Sequence, residues 1–399
     1  MAEKEQTQNA SFDGHLLTPS DIGDVNRSRV IQAFCDYGPL SRADLAKMAG
    51  VTRATIGNIV LGLVSSGLVE EIEAPERSGR VGKPGRPLWF GPNAGLSGAV
   101  SLEADRVQGA LVNARGDIIE ESVEAIHDAA DRDAIVEAVV RALTKVLPSP
   151  ASEVLGVGIA VPGVCDTATG SVFGSGQLPG LRGKKLAQTV ETRFGRRVLI
   201  DNDSRAQALG EKWFGKGRQV QTFASVQTGH GIGVGLVVGG VVLRGPHGEA
   251  GEAGHTSVVM DGELCRCGLR GCWETIATLE WLRTEGARRG IKGAAKLDAK
   301  TLVEREDEAS RELLERYAAN IAIGLANLAH VLRPALFVLH GDAVGGGEAF
   351  CALIERETKA RVLPHIKASI EVVASDLDAR AGLLGAAGLV LSETFNLAI

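Results

Sequence analysis

The stretch from Gly251 to Glu274, G-E-A-G-H-T-S-V-V-M-D-G-E-L-C-R-C-G-L-R-G-C-W-E, gathers four metal-ligating side chains over a short span. His255, Cys265, Cys267 and Cys272 offer one imidazole and three thiolates, a set suited to tetrahedral zinc. Gly268 and Gly271 let the backbone fold tightly enough for the thiolates to point inward. Four protein ligands leave no open position, so the expected Zn2+ is structural. A disulfide pair, or unrelated buried thiols, is the alternative. The polar start M-A-E-K-E-Q-T-Q-N-A has no apolar signal core, which points to a reducing cytoplasm, where zinc is favoured over disulfides. Glu252 and Glu274 bracket the cluster without being needed as ligands. Carboxylates beside a rigid metal knuckle suit a hydroxyl-rich ligand; ordinary surface charge is the plain alternative.

A second set of polar groups lies in Leu199-Ile200-Asp201-Asn202-Asp203. An apolar strand that ends in polar residues is where α/β sheets collect ligands. Asp203 can take a proton from a hydroxyl, as a general base must, and Asn202 can bond the neighbouring hydroxyl. The competing reading makes the Asn-Asp pair the N-cap of the next helix. The run Gly229-His230-Gly231-Ile232-Gly233-Val234-Gly235 exposes backbone N–H groups that suit anions, although such runs also serve tight strand packing. Nearer the N-terminus, R-S-G-R-V-G-K-P-G-R-P carries Arg77, Arg80, Lys83 and Arg86 with no acid among them. In a chain of net charge −6, such a local basic run is where nucleic acid would be met.

These groups need elements to hold them. At 399 residues, 44% hydrophobic and 23% charged, the chain is long and apolar enough for more than one domain. A 4% aromatic share with 51 Gly fits a glycine-rich α/β protein better than a β-sandwich. The longest apolar stretch, 234–243, is too short and too broken by glycine to span a membrane. Residues 1–20 read as a disordered lead. Val25, Val30, Ile31 and Phe34 mark a first helix that stops at Tyr37-Gly38-Pro39. Ser41 caps a second helix, ended by Gly50. Thr52 caps a third, with Ile56, Ile59, Val60, Leu63 and Val64 on one face.

Helix, short helix, glycine turn and capped helix is helix-turn-helix order. Thr52, Arg53, Thr55 and Asn58 on the third helix are expected to meet phosphates or base edges. Strands at 68–72 and 88–90 flank the basic run and make it a wing slim enough for a minor groove. A small bundle used for protein contacts is the alternative. A short linker through Pro92, Asn93 and Gly95 leads onward. Downstream, strands at 96–102, 109–112, 154–161, 198–200, 222–226, 232–238, 241–243 and 336–339 alternate with helices at 135–147, 186–194, 206–213, 313–332 and 379–391. That alternation predicts an α/β fold.

G-E-A-G-H followed by C-x-C-G-x-x-G-C-x-E resembles the signature of the ROK family of repressors, open reading frames and sugar kinases. The resemblance runs from about Asn26 to the C-terminus. It implies an N-terminal winged helix-turn-helix, with G-R-P at Gly85-Arg86-Pro87, followed by a two-lobed actin-like ATPase domain of the sugar-kinase kind. The expected boundaries are 1–20 for the lead, 21–92 for the DNA-binding domain, 93–200 for lobe 1 (completed by about 378–399), and 201–377 for lobe 2 with the zinc knuckle. In the family's kinases the pair matching Asn202 and Asp203 contacts the sugar. Glu252, His255 and Glu274 match the other sugar contacts, the histidine serving zinc and sugar together. Ser175 to Leu181 matches the cleft lining, with Gln177 where relatives often carry Asn and Leu181 where they carry Trp.

The first phosphate loop departs from the kinases of this family. They read roughly D-x-G-G-T-K, and this chain reads Ser101-Leu102-Glu103-Ala104-Asp105-Arg106. Ser101 replaces the metal-handling Asp. Glu103 and Asp105 set carboxylates where a triphosphate would lie, against the charge neutralisation that phosphoryl transfer needs. His230 stands where a kinase would carry Thr, and Leu339-His340-Gly341-Asp342 where a G-G-rich turn is usual.

The expectation is a sugar-responsive, DNA-binding transcriptional regulator, a repressor by family default. It would meet double-stranded operator DNA as a homodimer or homotetramer in the cytoplasm, with no membrane partner. Gln177, Asn202, Asp203, Glu252, His255 and Glu274 would bind a sugar or sugar phosphate. Nothing would be catalysed, Asp203 keeping only the vestigial general-base position. An active sugar kinase that also binds DNA is the alternative. A scaffold using the helix-turn-helix for protein contacts is the third reading.

Overall fold

Two hydroxyls start the second and third helices. Ser41 Oγ accepts from the N–H of Asp44, and Asp44 Oδ2 accepts from the N–H of Ser41, each at 3.1 Å. This reciprocal box satisfies two donors that a bare helix end would leave orphaned. Thr52 Oγ1 accepts from the N–H of Thr55 at 3.2 Å in the same way. The computed structural model describes residues 19–73, 86–183, 185–246, 248–377 and 379–399. It opens with α1 (Pro19–Tyr37), β1 (Leu40–Ser41), α2 (Arg42–Ala49) and α3 (Arg53–Ser65). Gly50, at φ +65°, makes the left-handed turn between α2 and α3 that glycine adopts without strain. α1 reaches back to Pro19, inside the stretch expected as a lead; proline suits the first helical turn. Val30, Ile31, Phe34, Leu45, Ile56, Val60 and Leu63 are buried, whereas Val64 is exposed. β2 (Val69–Glu71) and β3 (Pro87–Phe90) pair antiparallel on either side of the basic run and join β1 in the order β1-β3-β2.

The rest of the chain builds two five-stranded sheets. β4 (Ser97–Leu102), β5 (Arg106–Val112) and β6 (Ile118–Ala125) form an antiparallel meander. After α4 (Arg132–Val146), β7 (Val157–Val161) pairs parallel with β4. The hairpin β8 (Val164–Asp166) and β9 (Ser171–Gly174) and then α5 (Leu186–Phe194) lead to β10 (Val198–Asn202), parallel to β7. The order is β10-β7-β4-β5-β6. β6 was not expected. Its Glu120, Glu121 and Glu124 hide the strand pattern, and charge of this kind is what an edge strand tolerates.

α6 (Asp203–Phe214) leaves β10 directly and crosses to the second sheet. That sheet holds β11 (Phe223–Thr228), β12 (Gly233–Val238) and β13 (Val241–Val242). The chain then runs through α7 (Leu279–Arg288), α8 (Ala299–Val303) and α9 (Glu308–Leu332) to β14 (Leu336–Gly341). α10 (Asp342–Gly345) and α11 (Gly347–Ala360) precede β15 (Glu371–Ala374), and α12 (Arg380–Phe395) closes the fold. The order is β13-β12-β11-β14-β15, with β11, β14 and β15 parallel. In each sheet the parallel strands end on one side, at Leu102, Val161 and Asn202 in the first and at Thr228 and Gly341 in the second. α12 lies on β4, β7 and β10 and packs against α6. The approach is backbone to backbone: a Cβ on Gly385 would sit 1.7 Å from the carbonyl oxygen of Ala206. Among the described residues, no helix is long and apolar enough to cross a membrane.

Candidate metal centre and ligand cleft

The segment after β13 is folded by two isolated bridges, Ser257 to Cys272 and Leu264 to Arg270. Gly271 is needed there: at φ +68°, a Cβ would meet the carbonyl oxygen of Val259 at 1.8 Å. The turn brings one ligand atom from each of His255, Cys265, Cys267 and Cys272 within 4.8 Å of one another. His255 Nδ1 is 3.6 Å from Cys265 Sγ, and Cys267 Sγ is 3.7 Å from Cys272 Sγ. A tetrahedron with Zn–S bonds of about 2.3 Å has S–S edges of about 3.8 Å, so the donor set fits Zn2+. The disulfide alternative falls, since all six cysteines are free. Burial holds the Cys265 and Cys272 thiols up, while the Leu269 backbone N–H draws Cys267 down. A divalent cation is what would let all three ionise together.

Asn202 ends β10 and caps α6. Its Oδ1 accepts from the N–H groups of Ser204 and Arg205 at 3.0 and 3.2 Å. Its Nδ2 donates to the carbonyl of Gly163 and to Asp203 Oδ1 at 3.0 and 2.9 Å. The capping reading is therefore correct for Asn202, and the same amide aims Asp203. Burial pushes the Asp203 carboxyl up to about 6, against hydrogen bonds from Ser204 and the charge of Arg205, with Glu252 adding to the rise. Glu252 Oε2 is 3.8 Å from His255 Nε2, and Glu274 Oε1 is 3.6 Å from His255 Nδ1. One imidazole thus links both carboxylates to the metal set. Gln177 is exposed in the loop after β9. Ser175 of that loop lies beside Gly163, whose carbonyl takes the Asn202 amide.

Sequence reasoning missed Arg266. Its Nε and Nη2 each lie 3.1 Å from an oxygen of Glu274, a bidentate pair, and Cys265 donates to Glu274 Oε1 at 3.0 Å. Glu274 is 7% exposed and bonded through both of its oxygens. The Arg266 guanidinium also rests against Gly231, where a Cβ would be 2.8 Å from Nη2. It ties the knuckle to the glycine-rich loop after β11. An Arg between two metal-ligand cysteines was the signal available.

In the first hairpin turn, Glu103 accepts from Gln108 Nε2 and pairs with Arg106 Nη2, both at 2.6 Å. Ser101 lies beside Gly382 of α12. Asp342 faces inward, accepting from Tyr317 Oη and the Ala299 N–H at 3.0 Å each. His340 is buried 2.9 Å from Ser225 Oγ, and burial lowers it to about 4, so it is neutral at physiological pH.

On α3, Thr52, Arg53, Thr55 and Asn58 are all exposed. The hydroxyls of Thr52 and Thr55 lie 3.0 Å apart, within hydrogen-bonding distance. Arg86 is 78% exposed and 3.6 Å from Glu71, which Arg42 holds more closely at 2.6 Å. Arg77, Arg80 and Lys83 lie outside the described residues.

Comparison with known proteins follows the same division. The ROK family model matches residues 97–393. The xylose repressor of Bacillus spizizenii is 28% identical over 378 residues, covering 94% of this chain and 96% of that protein. The glucokinase of Thermotoga maritima is 32% identical over 249 residues, covering 59% of this chain and 78% of that enzyme. A solved ROK family transcriptional regulator, homologous to the E. coli MLC protein, matches with a TM-score of 0.76 at 25% identity, covering 94% of this chain and 99% of that one. With the zinc-ligand quartet, the two-sheet body and these matches together, the chain belongs to the ROK family.

Proposed function

We propose that this protein is a sugar-responsive, DNA-binding transcriptional regulator whose kinase-derived body senses a sugar or sugar phosphate without transferring phosphate. The observation that carries this is the extent of the likeness. The body from residue 97 onward is about three quarters of the chain, and the xylose repressor aligns over 94% of it, N-terminal helices included. The glucokinase aligns over 59%. In this reading α1 to α3 and the β2–β3 hairpin are a winged helix-turn-helix. α3 enters the major groove through Thr52, Arg53, Thr55 and Asn58, and Arg80, Lys83 and Arg86 serve the wing. Asp203, Glu252, His255 and Glu274 form the sugar-facing wall, with Gln177 at its rim. Zinc stiffens that wall and takes no part in chemistry.

The silent first loop is supported by Glu103, an anion held in place by Arg106 and Gln108 where transfer would need a cation-lined cradle. A second reading, an active kinase that also binds DNA, is favoured by the raised Asp203 carboxyl, which suits a general base. One experiment separates them. The protein is assayed for ADP release with D-xylose, D-glucose and amino sugars, and for operator binding by fluorescence anisotropy with the same sugars. No turnover and sugar-sensitive DNA binding is the expected result. Turnover abolished by Asp203→Asn promotes the second reading.

A further inference from the structure

Arg205 stands two residues beyond Asp203 on α6, and its side chain is 2% exposed. A buried guanidinium keeps its charge, so its N–H groups require acceptors. Nε donates to Asp201 Oδ1 at 2.6 Å. Nη1 donates to the carbonyls of Gly248 and Ala250 at 2.7 and 3.3 Å. Nη2 lies 3.9 Å from Cys165 Sγ. Asp201 is itself fully buried: Oδ1 also takes the N–H of Asn202 at 2.8 Å, and Oδ2 takes Arg244 Nε at 2.9 Å. The carbonyl of Arg244 accepts from the N–H of Ala250 at 3.0 Å, closing the same loop from its other end. Gly248 is held tightly, since a Cβ there would be 2.3 Å from the carbonyl oxygen of Cys165. One guanidinium therefore joins the strand end that bears Asn202, the helix start that bears Asp203, and the segment that delivers Glu252.

We propose that Arg205 is a positioning residue that sets the spacing between Asp203 and Glu252, and thereby which hydroxyls of a sugar ring the two carboxylates read together. This rests on the reading of those carboxylates as sugar contacts. The planar fork of arginine reaches acceptors on two separate segments at once; a lysine ammonium at the same place cannot. Asp203 and Glu252 consequently move as one body. Epimers differ only in the direction of one hydroxyl. A site with fixed polar groups rejects the wrong epimer because a buried acceptor is left unpaired, and a site with a loose Glu252 does not.

Arg205→Lys keeps a charge beside Asp201 and removes the fork. Zinc content and melting temperature establish that the variant is folded. Hydrogen exchange then reads the loop: amides from Gly248 to Glu252 should exchange about ten-fold faster in the variant, with the zinc knuckle unchanged. Calorimetric titration with D-xylose, D-glucose, D-galactose and D-mannose reads selectivity. The affinity ratio between glucose and its epimers should narrow about ten-fold, whereas a merely structural lesion lowers every affinity by a common factor. Unchanged exchange from Gly248 to Glu252 overturns the positioning role. So does a faster loop with an unaltered epimer ratio. If wild-type protein binds none of the four sugars, it is the sugar reading that fails, and the exchange result alone decides whether Arg205 fixes the loop.

Discussion

Asp203 keeps its proton to a higher pH than an ordinary carboxyl, and the sign of the consequence follows from that. An acid whose folded pKa is raised favours the folded state below its unfolded value, near 3.8, and loses that contribution as pH rises through about 6. Asp203→Asn should therefore raise the melting temperature at pH 8 and leave it nearly unchanged at pH 4. Ligand binding runs the other way. Only the ionised carboxylate is purely an acceptor, so sugar affinity should fall by up to about ten-fold per pH unit below 6, and Asp203→Asn should flatten that profile in calorimetry. A rising affinity toward pH 5 would reverse the assignment. The metal set makes a separate prediction. Cys267 is exposed, so Cys267→Ser removes almost no packing. A ligand present at a hundred times its Kd stabilises by about 2.7 kcal/mol, and losing it should lower the melting temperature by roughly 5–10 °C. Metal analysis showing full zinc in the variant, with no melting shift, would refute it.

At the scale of elements, α6 connects what the linker was expected to connect. Its first turn carries Asp203, and its last turn carries Lys212, 3.0 Å from Asp36 of α1 with both groups largely buried. Trp213 shares a core with Phe34 and Phe90. Just beyond, Arg218 donates to the carbonyl of Cys35 and lies 5.6 Å over the Trp89 ring. Breaking a buried pair from one side costs about 3–5 kcal/mol. Because Asp36 keeps some exposure, Lys212→Met should cost about 2–3 kcal/mol in urea unfolding, and adding Asp36→Leu should restore most of it. Equal losses in the single and double variants would show that the pair is not the reason. On α3, cap and contact separate. Thr52→Ala should cost about 1 kcal/mol. Asn58→Ala should leave stability alone and erode discrimination between operator and random DNA.

At the scale of the molecule, the proposed coupling must be reciprocal. If sugar lowers DNA affinity by some factor, DNA lowers sugar affinity by the same factor. Glu252→Gln should leave operator binding intact and unresponsive. Anisotropy titrations of both proteins, with and without saturating sugar, measure this. A fully responsive variant would place the effector elsewhere, and tighter wild-type binding with sugar would reverse the direction of the coupling. A single helix-turn-helix reads few base pairs, so the proposed regulator is expected to elute as a symmetric oligomer in size-exclusion chromatography and to protect a palindromic site.

What was legible in the sequence is what neighbours in the chain decide. The zinc quartet lies within one short segment, where ligand spacing and turn glycines speak for themselves. Ser41, Gly50 and Thr52 mark helix ends because caps act within one turn. The alternation of apolar strands and helices foretold an α/β fold. The hidden parts are pairings between distant residues. β6 carries an edge strand's charges, and its identity depends on β5 beside it. Asn202 looked like either a cap or a contact, and only Gly163, in the turn between β7 and β8, showed that its amide is held from both sides. Arg205 and Asp201 could each have been an ordinary charge on a helix and a strand. Their clamp needs Gly248 and Ala250, more than 40 residues away. Lys212 and Asp36, 176 residues apart, meet only once α6 has packed on α1. Spacing along the chain settles local geometry; which buried charges meet is settled by packing, because a charge removed from water must find its partner wherever the fold supplies one.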